Sequence, residues 1–585
     1  MSTTAEPTRR FSPPVGAALR RAFSKKYGLA ELRADILAGL VVGIVAIPLS
    51  MALAIAVGVA PEHGLYTAVV AGAVVALLGG CKFQVTGPTA AFIVVLAPIV
   101  ARHGLGGLLT AGVLAGAMLV VMGVARLGTW IQYIPYPVTT GFTTGIAIVI
   151  ATLQLKDVLG LDVGPMPESF VEKVAVLWEA RATVKPFEFG AAALTFTLLL
   201  VLPKVLKAVP APLLAIAVVS ALGAVVHHVV PGMTLATIGS RFHSVVDGVE
   251  VAGIPSALPS FAAPWGSEPL TWTLLRELLP AAFAIAMLGA IESLLSAVIA
   301  DGMTHTKHDS NSELVALGVG NIFAPFFGGI AATGALARTA TNIRAGAKSP
   351  IAAVTHSAFV LLAILLLAPL VAHIPMASLA ALLLLVAWNM SEARHFAGLV
   401  KAAPKSDVLV LVTCCLLTVF FDMVVAVFVG VVLAAALFVR RMAELTESRL
   451  QLDSSTDDGG RALPEGVVLY DINGPLFFGA SNKAMQALHS VSADDYRVLI
   501  VHLGRVPVID ATGLVALEAA LQMALGPRRH VVVAGPFPKP DDAIPKAALE
   551  TKHERLMLAP DLDSAIRLAE ELVTAHPPSS PPPAA

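Results

Sequence analysis

The sequence predicts a polytopic α-helical membrane protein with a small soluble α/β domain near its C-terminal end, and three observations carry that expectation. Charged residues make up 14% of the chain and hydrophobic ones 56%, whereas soluble globular chains run at roughly 25% charged. The apolar zone runs from about Ile36 to Val439, room for a dozen or more helices of about 20 residues each. After Arg441 the texture changes to a polar, acidic stretch, Asp453 to Gly460, and then to alternating short strands and helices.

Spans are expected at 34–56, 64–80, 84–101, 105–125, 135–153, 189–206, 211–229, 276–300, 312–327, 331–344, 350–372, 376–392, 406–421 and 423–440, fourteen in all. Charge placement tests the count, because Lys and Arg accumulate in short cytoplasmic loops. With the basic N-terminus (Arg9, Arg10, Arg20, Arg21, Lys25, Lys26) inside, the inside loops carry Lys82, Arg126, Lys204 with Lys207, Lys307, Arg344 with Lys348, Arg394 with Lys401 and Lys405, and Arg440 with Arg441. Short outside loops carry almost none, Arg102 being the exception. Both ends are therefore expected in the cytoplasm of a bacterial cell, with the chain in its inner membrane. No short apolar stretch ends in a small-residue cleavage site, so no signal peptide is expected.

Two segments read badly as ordinary spans. The third opens QVTGPTAAF and the tenth reads AATGALARTATNIR, each interrupted by Gly among hydroxyl-bearing residues. They are expected to be discontinuous helices. They hold the same ordinal position in two halves of seven, and an odd-numbered repeat inserts its second copy upside down, the pattern of an inverted-repeat secondary transporter.

An unwound segment inside a membrane is tolerated only in protein or facing water, so these breaks imply a cavity. Thr86 is placed to cap the third segment's helix and Pro88 to open it, leaving amides around Thr89 and Ala90 free. Thr333, Gly334 and Ala335 do the same in the tenth. Each helix start carries roughly half a positive charge, so two facing starts make an anion site from backbone alone. The competing reading is kinks that serve packing only; the matched ordinal position favours the site.

Arg338, one turn into the tenth segment, is an intramembrane cation placed to serve the anion, against the alternative of a structural or snorkelling Arg. Glu292 lies in the middle of AFAIAMLGAIESLLSAVIAD with Ser296 one turn on, so both share a helix face. A carboxyl there is a candidate for carrying a proton inward with the anion, against a merely hydrogen-bonded structural role.

Other features carry less. His305, His308 and Asp309 lack a complete metal-ligand set, the adjacent His227 and His228 point apart on a helix, and Cys81, Cys414 and Cys415 read as structural thiols. With a formal net charge of −1, nothing proposes nucleic acid as a partner. No nucleophile with its base and no phosphate loop appears in the soluble part, so neither an enzyme nor a cofactor is expected.

The residues resemble the SulP anion transporters over nearly the whole length. The resemblance is carried by ADILAGLVVGIVAIPLSMALA, GLYTAVVAG, QVTGPTAAF, AIESLLSAVIADGMTHTKHDSNSEL and GGIAATGALARTATNIRAGAKSP. It implies a uracil-transporter-like membrane domain at residues 31–441 in seven-plus-seven inverted repeats, with a core of spans 1–4 and 8–11 and a gate of spans 5–7 and 12–14. It also implies a STAS domain at 464–576; composition makes 1–30 a cytoplasmic N-terminal segment, 442–463 a linker and the proline-rich 577–585 a disordered tail. Substrate binding then falls on Thr86, Thr89, Ala90, Gly334, Ala335 and Arg338, and coupling to a proton, or to sodium, on Glu292 and Ser296. Leu49 and Ser50 form the first-span wall of the site, and Asp510 and Thr512 belong to the characteristic STAS loop VIDATGL. Many family members have Gln where this chain has Leu49, which weakens a sulfate assignment. The wording LGAIESLL, GMT with TKH, and VAWNMSEA resembles the bacterial DauA branch, implying proton-linked uptake of C4-dicarboxylates such as succinate, fumarate or aspartate. Sulfate or bicarbonate transport is the alternative; a membrane sensor signalling through STAS, with Thr512 as phosphoacceptor, is a weaker one. A homodimer and a cytosolic partner for the STAS domain are implied by the resemblance alone.

Overall fold

The computed structural model describes residues 15–24, 27–130, 133–164, 166–206, 210–229, 234–246, 249–266, 270–421, 423–444, 447–451, 463–481, 496–525, 529–535 and 555–575. The acidic stretch 453–460, the proline-rich tail 577–585, and Arg9, Arg10, Lys25, Lys26 and Lys207 lie outside them.

A short helix α1 (Ala17–Phe23) precedes the first two spans, α2 (Leu29–Val57) and α3 (Pro61–Leu78). Strand β1 (Thr86–Gly87) leads into α4 (Phe92–Val124), which supplies the third and fourth spans. The expected separation of those two reduces to Gly104, whose φ of 62° and ψ of −167° interrupt a helix that otherwise continues; a residue without Cβ takes that backbone at little cost. Then come α5 (Tyr136–Val158), α6 (Phe170–Glu179) in the first long connection, α7 (Pro186–Val205) and α8 (Ala211–Val229). The second long connection holds α9 (Ile238–Arg241) and the hairpin β2 (His243–Val246) and β3 (Val249–Ala252).

The second half repeats the plan: α10 (Trp272–Thr304), α11 (Ser310–Phe323), strand β4 (Thr333–Gly334) with α12 (Leu336–Arg344), α13 (Ile351–Val371), α14 (Met376–Ser391), α15 (Ala393–Ala402), α16 (Lys405–Phe420) and α17 (Met423–Glu444). Among the described residues, ten helices are long and apolar enough to cross a membrane unaided. The remaining spans are short helices or strand-plus-helix segments. α6, α9, α15 and the hairpin carry no span-length apolar signal and were not expected.

Packing divides the helices in two. One group joins α2, α3, α4, α10, α11, α12 and α13; the other joins α5, α7, α8, α14 and α16. Lipid tails are as apolar as Leu, so helices in membranes associate through close contact at small residues. α4 and α11 show it: a Cβ on Gly116 would lie 2.6 Å from the Gly318 carbonyl oxygen, and one on Gly318 equally close to that of Gly116.

Asp35, fully buried in α2, accepts from the Lys348 and Ser349 amides (2.6 and 3.1 Å), Ser349 Oγ (2.5 Å) and Tyr27 Oη (2.7 Å). Such bonds offset the cost of burying a carboxylate and tie the loop after α12 to the first span. Burial, with Asp35 adding to it, pushes the Tyr27 phenol up to about 12. Arg102, the exception to the charge rule, is ion-paired with Glu168 in the first long connection, and its hydrogen bond holds the Glu168 carboxyl below the usual range.

The C-terminal unit is an α/β fold with a five-stranded sheet in the order β5 (Glu447–Gln451), β6 (Val467–Asn473), β7 (Val498–Arg505), β8 (His530–Ala534), β9 (Leu556–Ala559). β5 is antiparallel to β6, and the other pairs are parallel. β5 corrects the sequence reading, which placed 447–451 in a linker: an edge strand reading ESRLQ shows no apolar run, because it pairs on one side only. Side chains alternate between the faces of the sheet. Leu499 and Val501 pack with Leu517 and Leu521 of α18 (Ala511–Ala524), while Ile500 and Val532 pack with Ala565 and Ile566 of α19 (Leu562–Ala575).

Asp510 caps α18, accepting the Gly513 amide at 2.7 Å, and also receives the Phe478 amide at 3.1 Å; Thr512 is exposed in the first turn. Asp510→Ala is expected to remove the cap and cost about 1 kcal/mol. A calorimetric scan of the full chain checks this, with the C-terminal unit's transition lowered by about 4–8 °C.

Candidate functional site

The two broken segments meet. β1 and β4 pair antiparallel, Thr86 opposite Gly334 and Gly87 opposite Thr333, and the Ala335 amide extends the pairing to the Val85 carbonyl at 2.8 Å. α4 and α12 leave this antiparallel ladder at its opposite ends, so their starts face each other across it. Neither start has a side-chain cap. The first bonds above β1 are of the tight three-residue type, Phe92 N–H to Thr89 O at 3.2 Å and Ile93 N–H to Ala90 O at 3.0 Å. A helix leaves its first amides without intrahelical partners, here those of Thr89, Ala90 and Ala91 at one start and of Leu336, Ala337 and Arg338 at the other.

Thr86 departs from its expected role. It lies within β1, almost fully buried, with its hydroxyl unpartnered among the described residues, and it caps nothing. Thr333 likewise donates to the Gly289 carbonyl of α10 at 2.9 Å instead of capping α12. Both hydroxyls lie two or more residues before the cap positions Ala91 and Ala335, too far along the chain to reach the second or third amide of either helix.

Thr89 is where the expected residues converge: its Oγ1 donates to Glu292 Oε2 at 2.9 Å. Ser296, fully buried one turn on, donates to Thr339 Oγ1 at 3.2 Å, which receives the Val85 amide at 3.1 Å. α10 thus touches the strand crossing at both positions.

Arg338 is 2% exposed. Its Nη2 donates to the Pro88 carbonyl, while Nε and Nη1 have no hydrogen-bond partner among the described residues. A buried cation with unmet donors is costly, and an anion at the helix starts would relieve it. On the β1 side the guanidinium is tightly packed, since a Cβ on Gly87 would lie 2.5 Å from Arg338 Nη1; on the other strand a Cβ on Gly334 would lie 2.4 Å from Gln84 Nε2. Gly87→Ala is therefore expected to displace the guanidinium and slow anion uptake in proteoliposomes about tenfold, the rate equivalent of ~1.4 kcal/mol of misfit.

The braces of this crossing were not anticipated from sequence. Gln84 Nε2 donates to Ser293 Oγ at 2.6 Å and to Glu313 Oε1 at 2.7 Å, and Glu313 Oε2 receives the Gly80 and Cys81 amides at 2.8 and 2.9 Å. Asn321 brackets Ala332, accepting its amide at 2.8 Å and donating to its carbonyl at 2.9 Å. Asn342 Nδ2 holds the Phe83 carbonyl at 2.9 Å. Gln84 and Glu313 do stand inside the stretches QVTGPTAAF and NSEL, the only hint available.

Leu49 is half-buried and Ser50 fully buried just after Pro48 of α2, and no hydrogen bond among the described residues joins Ser50 to the strand crossing. Asp309 caps α11 through the Asn311 and Ser312 amides, and His308 Nδ1 pairs with Asp301 at 2.7 Å.

Comparison with known proteins adds an independent line. The model of the sulfate permease family matches residues 32–414, and that of the STAS domain residues 462–565. YvdB of Bacillus subtilis, which carries a provisional sulfate-transporter name, is 40% identical over 90% of this chain and 95% of its own. The bicarbonate transporter BicA of Picosynechococcus is 31% identical over 88% of this chain and 90% of its own. Among solved structures, murine Solute Carrier 26 family member A9, an anion transporter, superimposes with a TM-score of 0.80 over 95% of this chain and 94% of that one; at 18% identity the likeness is one of fold. The fourteen-span inverted repeat, the paired helix starts and these matches agree: the chain belongs to the sulfate permease family of membrane anion transporters and ends in a STAS domain.

Proposed function

We propose that the chain takes up small anions by proton-coupled alternating access. The observation that carries this reading is the hydrogen bond from Thr89, at the start of α4, to Glu292, which links the anion position directly to a group that can hold a proton. Anion binding at the amides of Ala90 and Leu336 is assisted by Arg338, and a proton on Glu292 offsets charge during passage. The first packing group, α2–α4 with α10–α13, is the moving core; α5, α7, α8, α14 and α16 belong to the gate, and both termini face the bacterial cytoplasm. Dimerisation and a cytosolic partner at the STAS loop around Thr512 belong to the same reading.

The wording of the first, eighth and twelfth spans supports C4-dicarboxylates as substrates. Bicarbonate or sulfate, with sodium in place of the proton, is the second reading, and the names of the relatives favour it. Purified protein in liposomes separates them: labelled succinate, bicarbonate and sulfate are supplied in turn with an inward proton gradient, a sodium gradient, or neither. The proposal predicts succinate accumulation driven by the proton gradient. Accumulation of bicarbonate or sulfate driven by sodium alone would replace it with the second reading.

A further inference from the structure

α15 is a helix that spans nothing. It has ten residues and none of them is buried, and at 1.5 Å per residue it reaches about half the hydrocarbon thickness. The chain is turned into it sharply: Glu392, between α14 and α15, takes φ 42° and ψ 40°, a left-handed corner that costs a residue with Cβ roughly 1 kcal/mol. Pro404 ends the excursion and stands immediately before α16.

The faces of α15 differ. Arg394 and Lys401 are seven residues apart and share one side, while Phe396 and Val400 share the other, following the helical period. Phe396 is half-buried, and Val400 is 42% exposed. From Ala393 to Ser406 the segment contains no acidic residue. Among the described residues no ion pair engages Arg394, Lys401 or Lys405. Aromatic rings flank the helix: Trp388, one turn before the corner, is 64% exposed, and Tyr136, 52% exposed, packs edge-on against His395 at 5.6 Å.

We propose that α15 is an interfacial anchor that takes anionic phospholipid, with Arg394, Lys401 and Lys405 at the headgroup phosphates and Val400 toward the acyl chains. A short helix, basic on one side and apolar on the other, with exposed Trp and Tyr near its N-terminal end, fits a surface that is negative above and hydrocarbon below. A soluble anion would satisfy the basic side and leave the apolar one without a partner. The anchor fixes the depth of α14 and α16, between which it is strung, and depends on no particular transported substrate.

The test uses the full chain in liposomes. A Cβ at Gly398 meets nothing within 4 Å and the native cysteines Cys81, Cys414 and Cys415 are buried, so Gly398→Cys accepts a fluorophore selectively. Quenching is measured with phosphatidylglycerol or phosphatidylcholine brominated on the acyl chain near the glycerol, at equal mole fraction. Phosphatidylglycerol is expected to quench roughly threefold more, a preference that weakens with salt. Arg394→Gln, Lys401→Gln and Lys405→Gln together are expected to abolish that preference, and inorganic phosphate at matched ionic strength to leave it intact. Equal quenching by the two lipids, no quenching by either, a preference that survives the triple substitution, or its loss to inorganic phosphate would each overturn the proposal. The comparison of lipids on the parent chain decides the matter even where the triple variant fails to fold.

Discussion

Glu292→Gln is expected to bind substrate as tightly as the parent and to lose gradient-driven accumulation altogether. Glutamine keeps a carbonyl oxygen to accept the 2.9 Å bond from Thr89 Oγ1, so the start of α4 stays in place. What it loses is the ability to exchange a proton. The variant is frozen in the neutral form, and movement of the anion no longer requires a proton to move with it. With one proton moved per substrate anion and the membrane potential clamped to zero, the parent accumulates substrate about tenfold per pH unit of gradient, because ~1.4 kcal/mol corresponds to tenfold. The variant equilibrates to no accumulation, while exchange of labelled for unlabelled substrate continues. Loss of exchange together with accumulation would make Glu292 a structural support instead.

Arg338→Gln is expected to act on the other half of the cycle. Hydrogen bonds to a charged group contribute about 1.5–3 kcal/mol, so substrate affinity should fall roughly 10- to 100-fold, read as the apparent KM for uptake. Stability should move the opposite way or not at all. The guanidinium is almost fully buried with Nε and Nη1 unpartnered among the described residues, and removing an uncompensated buried charge relieves a desolvation cost that offsets the packing lost with the shorter side chain. A thermal midpoint that is unchanged or raised, beside weakened affinity, identifies Arg338 as an anion ligand. A large drop in the midpoint with affinity retained would identify a packing role.

The breaks in the third and tenth spans were legible because Gly and hydroxyl residues interrupt otherwise apolar stretches, a local signal that survives without any knowledge of neighbours. Thr89 was named from the same local signal, and Glu292 from a carboxyl in an otherwise apolar helix, whereas the Ala335 amide, expected to be free, is taken up by the Val85 carbonyl. Their braces could not: Gln84 and Glu313 bond across 229 positions of sequence, and a pairing of that range leaves no trace in composition or period. Thr86 was read as a cap because a hydroxyl before Pro88 resembles one, but pairing with β4 took precedence over the local preference. β5 and α15 were missed for a shared reason, since an edge strand with one partner and a helix lying along an interface both lack the full apolar face by which elements are recognised.

On the proposed mechanism a negatively charged solute rests against two opposed helix starts, and a structure determined with a transported anion bound would show whether it does. Density within hydrogen-bond distance of the Ala90 and Leu336 amides, flanked by Arg338 and Thr89, is the predicted result; density elsewhere in the membrane domain, with those amides facing only protein, would contradict it.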